Sequence, residues 1–476
     1  VAMLIGTTFA WFTDTASTGV NKIVSGNLKV DIIGENSDSH IEKLNFKKAA
    51  ATDTKTGAAI LWEPGCRYLT EGFRIANKGN LALKWKAQVN MNNIINGKVE
   101  GSTIAKDGKS LLDVIDFYVV TSTDENAEAV AIENFVGNLT AGAKSGVYYI
   151  KGVMQTTAGN DYQDLTLDGI TVTVIATQDT VENDSFNNQY DKDAEYPILV
   201  TTGDELQAIV SNATAPVNIV LANSITTNNF VIPADKDVTL DLNGRTVTNA
   251  GSHTILNKGH LTLTDSSTDK SGQIISLKGN TAALRNGDNA VCVVEGGTIS
   301  RDGANGNTWH VVENFGKMTF NGGKVVLKNG NGFAITNGWN YFDPGASTTH
   351  AVMEINALEL DTDSSGIKNC RYGDLTVNDA TVTSTGYWAL SNDYLGTAVI
   401  NGGTLTSNSF KAVSNGAAMT VNGGTFDGTE GLFVQSYATS TVLNGGTFTN
   451  MNVDALSSYV GTGHTAQQSG TSVIIK

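Results

Sequence analysis

The chain has 476 residues, 40% of them hydrophobic and only 16% charged, which gives enough apolar material for sizeable cores beneath an uncharged polar surface. The formal net charge of -16 argues against nucleic acid and anionic membrane surfaces as partners, because both attract Lys and Arg. Cys66, Cys292 and Cys370 are widely spaced and form no CxxC or Cys/His motif, so we predict free or buried thiols, no metal site and no cofactor.

The chain opens with an apolar run from Val1 to Ala10, which is too short to span a membrane. Its small-residue ending predicts the remnant of a signal peptide over residues 1–10, with processing between Ala10 and Trp11. The alternative is that Val1 to Phe12 forms a buried N-terminal strand.

Strand patterns dominate residues 26–176. Apolar and polar residues alternate from Leu28 to Ile32, in "LALKWKAQVNM" and in "ITVTVIAT". One helical stretch is predicted in "SLLDVIDF", where Leu111, Leu112 and Ile115 have helical spacing. Many short strands with few helices predict an antiparallel sandwich, followed by a polar linker over residues 177–197.

From residue 198 onward a phrase recurs, as in "VVEGGTIS", "VINGGTLT" and "TVNGGTFD". The residues that align in these phrases are Asn243, Glu295, Asn321, Asn356, Asn378, Asn401, Asn422 and Asn444. The last four steps between them are 22, 23, 21 and 22 residues. A fixed period just above 20 residues predicts stacked repeats over residues 198–476.

A second series of asparagines precedes the first by a few residues in most repeats. Its members are Asn257, Asn286, Asn314, Asn337, Asn369, Asn392 and Asn415. Each repeat therefore holds about three short strands joined by sharp turns, and stacked coils would place the amides above one another in ladders. This pattern predicts a right-handed parallel β-helix. A helix in "TTGDELQAIVSNA", with capping-box spacing between Thr202 and Glu205, is predicted to cover its first coil.

The first part of the chain resembles the TasA/camelysin family of secreted bacterial proteins, which are processed by the SipW type of signal peptidase. The resemblance rests on three motifs in order: "AWFTDTASTGVNKIVSGNLKVDI", "WEPGCRYLTEGFRIANKGNLALKWKAQVN" and "TAGNDYQDLTLDGITVTVIATQDTVENDSF". It covers about residues 1–190 and implies a jelly-roll sandwich that assembles into fibres of a biofilm matrix.

Fibres of this kind form by donor-strand exchange, in which a freed N-terminal segment pairs with a sheet edge of the next subunit. The donor strand is predicted over residues 11–25, and its apolar anchors are Trp11, Phe12, Val20, Ile23 and Val24. If processing occurs before Val1, the run from Val1 to Ala10 is the donor instead. A monomer whose N-terminus packs on its own sandwich is the remaining alternative.

No catalytic constellation stands out in the predicted β-helix. Asp361 and Asp363 are the best local carboxylates, but neither the polygalacturonase pattern nor a lyase set of calcium ligands accompanies them. We interpret both as solvated turn residues. Arg285, Arg301 and Arg371 lack acidic clusters nearby in the sequence.

Aromatic residues gather in the middle coils, several of them where the repeats lengthen. The candidates for carbohydrate binding are Trp309, Trp339, Tyr341, Tyr387, Trp388 and Tyr394. Loops that emerge from one side of a solenoid often form its binding face. The alternative is that these rings only pack the inserted loops against the coil.

Taken together, the sequence predicts an all-β, extracellular, secreted bacterial protein: a jelly-roll sandwich that forms homopolymers by strand donation and displays a β-helix outward for adhesion, with no membrane span in the mature chain. The alternative is a surface protein that binds or degrades polysaccharide through its β-helix.

Overall fold

A computed structural model describes residues 28–41, 44–47, 62–90, 94–95, 98–99, 109–124, 127–166, 171–179, 196–303, 309–339 and 349–476. These residues form an all-β structure, with antiparallel sheets in the N-terminal part and a parallel β-solenoid in the C-terminal part. Several predictions fall outside the described residues and stay predictions: the signal-peptide remnant, the processing site, the donor strand, Tyr341 and most of the linker.

The N-terminal part contains short strands in antiparallel pairs. They are β1 (Val30–Gly34), β2 (Phe46–Lys47), β3 (Arg67–Thr70), β4 (Phe73–Asn77), β5 (Leu83–Asn90), β6 (Ile94–Ile95), β7 (Lys98–Val99), β8 (Ile115–Val120), β9 (Val130–Ala131), β10 (Val136–Leu139), β11 (Tyr149–Met154) and β12 (Thr171–Gln178). The strand orders are β1-β4, β10-β5-β12, β2-β3-β11-β8-β9 and β6-β7.

Inward-facing residues of β4, β5, β8 and β11 share one buried cluster, which explains the alternation seen in the sequence. Trp85 is its largest fully buried side chain, and its ring lies 4.8 Å from that of Phe135. Gly137, which pairs with Trp85 across the sheet, leaves room for the indole: a Cβ there would lie 2.6 Å from the ring. The antiparallel sheets are thus confirmed, and the jelly-roll connectivity stays a prediction.

The predicted helical stretch is wrong beyond its first turn. Leu111–Asp113 is a single 3-10 turn with a reciprocal capping box at Ser110, and Ile115 already begins β8. The spacing that resembled a helix combines a buried residue in this turn, Leu111, with one on a strand, Ile115. Further 3-10 turns are Ile132–Asn134 and Asn160–Tyr162.

The C-terminal part is a parallel β-solenoid of about 10 turns, as predicted. Its first sheet, called sheet A, has 11 strands: Ile198–Val200, Val217–Leu221, Asp237–Asp241, His260–Thr264, Val291–Val294, Lys317–Phe320, Ala351–Ile355, Gly373–Val377, Thr397–Ile400, Ala418–Val421 and Ser440–Leu443. The chain passes from sheet A to sheet B, then to sheet C, and returns to sheet A one coil further on.

Sheet B has 12 strands and sheet C has 9. The strands of sheet B are Ile225–Thr227, Thr246–Asn249, Gln273–Ser276, Thr298–Asp302, Lys324–Lys328, Glu359–Thr362, Thr381–Ser384, Thr404–Ser407, Thr425–Asp427, Gly446–Phe448 and the terminal hairpin Ala466–Ser469 and Ser472–Ile475. Those of sheet C are Phe230–Ile232, Ile255–Asn257, Leu284–Asn286, Val312–Asn314, Phe333–Asn337, Ser365–Asn369, Leu390–Asn392, Val413–Asn415 and Leu432–Val434.

The second asparagine series forms a buried ladder at the end of sheet C. From Asn257 to Asn415, each amide Nδ2 donates to the Oδ1 of the next member at 2.7 to 2.9 Å. Each of these amides also donates to a backbone carbonyl of a following coil, as Asn392 does to Ala418 O. Because the side chains are fully buried, the ladder satisfies polar groups that would otherwise be costly to bury.

The first series forms another ladder at the surface, where sheet A turns into sheet B. From Asn321 to Asn444, each amide donates to the preceding member at 2.7 to 3.0 Å, beginning at the Glu295 carboxylate. Asn243 lies outside this ladder and donates to Leu221 O. Asp265 follows the strand of sheet A in the coil that the series skips, and its buried carboxylate accepts from Gly244 N and Gly272 N.

Both ends of the solenoid are covered. The predicted helix is α1 (Gly203–Asn212), and it buries Leu206 and Val210 on the solenoid core. Thr202 caps it by accepting from Glu205 N, but the Glu205 carboxylate accepts from Thr201 instead, so the capping box is not reciprocal. At the other end, α2 (Val453–Leu456), a 3-10 turn Ser457–Tyr459 and the terminal hairpin close the last coil.

Candidate functional site

The outward side of sheet C carries a column of side chains, one from each of eight successive strands, and six of the eight are polar or charged. The backbone register aligns Leu256, Arg285, Glu313, Thr336, Lys368, Ser391, Ser414 and Phe433. Neighbouring residues in a strand point to opposite sides, so each residue that precedes a buried ladder asparagine faces outward. We call this column with its flanking connections the sheet C face.

Glu313 organises the middle of the sheet C face. Its side chain is only 4% exposed, and one carboxylate oxygen accepts from Arg285 at 3.1 Å. The other accepts from the Trp309 indole N–H at 2.9 Å. The Arg285 guanidinium in turn lies over the ring of Phe315, 4.6 Å from its centroid. A buried charge thus fixes the orientation of Arg285 within the column and of Trp309 beside it.

Two histidines lie near this carboxylate. The His253 ring accepts from Ala282 N at 2.8 Å through Nδ1, and the His310 Nδ1 lies 3.1 Å from Phe333 O. Burial lowers the pKa of both rings from the ordinary value of 6.5, and the Glu313 charge opposes that effect without cancelling it. Both histidines are therefore neutral at pH 7.

Aromatic side chains of the connections from sheet B to sheet C form one edge of the face, which we call the first rim. Trp388 lies edge-on to Phe410 at 4.7 Å and stacks with Phe433 at 6.0 Å. Tyr387 also contacts Phe410, and 58% of its surface is exposed. Trp309 is on the same rim, in an earlier coil. The first rim is thus a row of rings that runs along the solenoid axis.

The connections from sheet C back to sheet A form the opposite edge, the second rim. Phe315 packs on Trp339, with ring centroids 4.5 Å apart. Tyr394 and Tyr437 are exposed at equivalent positions in later coils. Tyr372 lies between these groups and bonds through its hydroxyl to Arg371.

The second rim contains strained backbone. Tyr372 has φ of 56° and Leu395, in the next coil, has φ of 60°. The left-handed conformation costs a bulky residue about 1–2 kcal/mol, and an earlier coil places Asn289, with φ of 62°, in the same connection. Strain of this kind concentrates at functional sites, so its repetition on one rim marks this edge of the solenoid.

The structure brings the described aromatic candidates to one face. Trp309, Tyr387 and Trp388 are on the first rim, and Trp339 and Tyr394 are on the second. The alternative, that the rings only pack the connections against the coil, holds for Trp339. Its ring packs on Phe315, and its indole N–H donates to Thr349 O. Their use in binding stays a prediction.

Of the carboxylates considered in the sequence, one lies on sheet B and the other in the connection from sheet B to sheet C. Asp361 belongs to sheet B and pairs with Lys328 at 2.8 Å, while Asp363 accepts from Asn329 N and Gly330 N. Arg285 pairs with a single carboxylate, that of Glu313, which lies one coil away and 28 residues further along the chain. Arg301 is buried and donates to Ser276 and to backbone carbonyls.

All three cysteines are free thiols, as predicted. Burial raises the pKa of Cys292 and of Cys370 to about 12, which makes both unreactive at neutral pH. Within the described ranges, no group of three or more His, Cys, Asp or Glu residues is arranged to hold a metal ion.

The sequence analysis did not identify the charged residues of the column, which are Arg285, Glu313 and Lys368, as part of a candidate site. A signal was present, because the residue before each member of the buried asparagine series must point outward once that series points inward. Applying this rule along the series yields the column from Leu256 to Ser414.

Comparisons with family models, with curated proteins and with solved structures found no match for this chain. The resemblance to the TasA/camelysin family therefore stays an interpretation of the motifs. None of the helices formed by described residues has the length and apolar character needed to cross a bilayer.

Proposed function

We propose that this chain is a secreted structural protein of a bacterial surface or extracellular matrix, and that its solenoid displays the sheet C face to bind polysaccharide. The observation that carries this proposal is the arrangement of aromatic rings on both rims of one polar column. Exposed rings of Tyr387 and Tyr394 offer apolar faces for sugar rings, while the half-buried Ser391 on the strand between them offers a hydroxyl for hydrogen bonding.

A binding role is favoured over catalysis because two carboxylates of the face, Glu313 and Asp393, are already engaged. Glu313 accepts from both Arg285 and Trp309, and Asp393 pairs with Lys368. An acid and base pair for glycoside cleavage needs two carboxylates that face the same bond with separate protonation states.

Depletion of the full chain from solution by insoluble polysaccharide tests this proposal. Particles of bacterial cell wall, chitin and cellulose are each mixed with the protein, and the unbound fraction is measured. We expect depletion by at least one of them and a clear loss of depletion in the variant Tyr387→Ala/Tyr394→Ala. Thr404→Ala, on the outward side of sheet B, is the matched control. Equal depletion of all three proteins would contradict the proposal.

Assembly into filaments by strand donation is a second candidate, favoured by one edge of the N-terminal sheets. Strand β12 is eight residues long and pairs with β5 along one side, and within the described part of the chain no strand pairs with its other side. Such an edge offers backbone groups to a strand of another subunit. The predicted jelly-roll order and the donor segment 11–25 belong to this candidate.

Negative-stain microscopy tests the second candidate. The chain without residues 1–10 is expected to form filaments, and the chain without residues 1–24 is expected to stay dispersed. Dispersed particles from both proteins at high concentration would rule strand donation out and leave the binding proposal untouched.

A further inference from the structure

The charges of the sheet C face indicate what kind of polysaccharide it would accept. Three cations of the column and the first rim are paired with carboxylates: Arg285 with Glu313, Lys368 with Asp393 and Lys411 with Glu430, at 3.0 to 3.1 Å. His350 also lies 2.8 Å from Asp374 beside the second rim. These pairs offset the charge of Arg285 and Lys368, the two cations of the column itself.

Arg285, Lys368 and Lys411 also lie over aromatic rings. Lys411 lies 3.6 Å from the centroid of Phe433, and Lys368 lies 5.3 Å from that of Phe333. Arg285 is held in the same way over Phe315. A cation fixed between a ring and a carboxylate is not available to a ligand, whereas recognition of carboxylate or sulfate groups requires cations that project toward them.

Aromatic rings of the sheet C face form a row along the solenoid axis. The row Trp388, Phe410 and Phe433 extends across successive coils, and the coils are stacked about 4.8 Å apart along the solenoid axis. Exposed tyrosines are Tyr387 on the first rim, and Tyr394 and Tyr437 on the second rim, where they lie two coils apart. A ligand that contacts the exposed rings of one rim in more than one coil must be extended and must run along the axis.

We infer that the ligand of the sheet C face is a neutral, extended polysaccharide that lies parallel to the solenoid axis. This inference rests on the proposed polysaccharide binding and adds the charge and the direction of the ligand. Binding is carried by ring stacking and uncharged hydrogen bonds. It is therefore insensitive to salt, unlike the binding of a polyanion.

Affinity electrophoresis of the full chain tests the inference. Native gels contain hydroxyethylcellulose as the neutral probe or polygalacturonate as the anionic probe, each at low and at high NaCl. We expect retardation by hydroxyethylcellulose that is equal at both salt concentrations and none by polygalacturonate. The variant Tyr387→Ala/Tyr394→Ala should lose affinity about tenfold. Thr404→Ala should migrate as the unaltered chain does, and thermal unfolding verifies that all variants are folded.

The outcomes distinguish the neutral character of the ligand from polysaccharide binding as such. Salt-sensitive retardation by polygalacturonate alone would overturn the neutral ligand and leave polysaccharide binding in place. Retardation by neither probe, together with no depletion by the insoluble polysaccharides, would overturn both.

Discussion

Sheets B and C of the solenoid share their inward pattern and differ in their outward one. Inward positions of both sheets are buried aliphatic residues, such as Leu405 and Val413. Outward positions of sheet B in the later coils are short hydroxyl side chains, as in Thr381 and Thr404. Outward positions of sheet C include Arg285, Glu313 and Lys368 in the earlier and middle coils, and they lie between aromatic rims. The inward pattern thus sets the fold, and departures from regularity on one outward side mark the candidate site.

The connections differ in the same way. From Val294 onward, the turns from sheet A to sheet B have three residues or fewer, and they carry the exposed ladder. In contrast, the connections on either side of sheet C vary in length, from the single residue pair after Asn314 to the long segment between Asn337 and Ala351. Variation is tolerated there because the strands on both sides remain in register, and it supplies the rings of both rims.

The largest expected effect comes from breaking the buried pattern. Asn337→Ala removes a rung of the buried ladder and leaves the amide of Asn314 and the oxygen of Asn369 without this partner. We expect a loss of about 3 kcal/mol in the free energy of unfolding, because unsatisfied buried polar groups cost about 1–3 kcal/mol each. Urea unfolding followed by circular dichroism measures it.

Asn401→Ala is the matched control for that variant, since it removes a rung of the exposed ladder. Water replaces its hydrogen bonds, and the expected loss is about 0.5 kcal/mol. Equal losses in the two variants would mean that burial does not separate the ladders.

A smaller effect is expected from the centre of the sheet C face. Glu313→Ala leaves Arg285 and Trp309 without their shared partner, and it should destabilise the chain by about 2 kcal/mol. The value is below that of a fully buried pair because Arg285 is partly exposed. Unfolding curves give the loss, and a change in tryptophan emission reports the release of Trp309. An unchanged emission spectrum would show that Glu313 does not orient the indole.

Relief of backbone strain on the second rim should stabilise the chain, in contrast to the substitutions above. Leu395→Asn should raise the free energy of unfolding by about 1 kcal/mol, since Asn tolerates the left-handed conformation that Leu395 adopts. Leu405→Asn, at a buried inward position of sheet B, should instead destabilise strongly. A loss of stability in Leu395→Asn would argue that its side chain makes contacts that outweigh the strain.

The smallest expected effect is a pH dependence. Burial lowers the pKa of His253 and of His310, so the native state favours the neutral rings. Their contribution to stability is fully present above pH 6.5. It is lost as the pH falls from there through the lower native pKa values, because the unfolded chain binds these protons first. Between about pH 7 and pH 5, the free energy of unfolding should fall more steeply with falling pH for the unaltered chain than for His310→Gln. A series of urea unfolding curves at different pH values measures this slope. Identical slopes would exclude His310 as a contributor.

The repeated elements of the fold were predictable from sequence, and the site was predictable only in part. Both asparagine series were visible because a period just above 20 residues repeats them, and the cap over Leu206 followed from local spacing. The pair of Arg285 and Glu313 was missed because its members belong to different coils. Ile115 was misassigned because a 3-10 turn joined directly to a strand imitates helical spacing over a few residues.

Hydroxyl-radical footprinting of the full chain with and without hydroxyethylcellulose tests directly whether polysaccharide binds to the sheet C face. We expect the polymer to protect Trp309, Tyr387 and Tyr394 from oxidation and to leave Tyr162, in the N-terminal part, unchanged. Protection of Tyr162 alone, or bound polymer with no protection on either rim of sheet C, would contradict it.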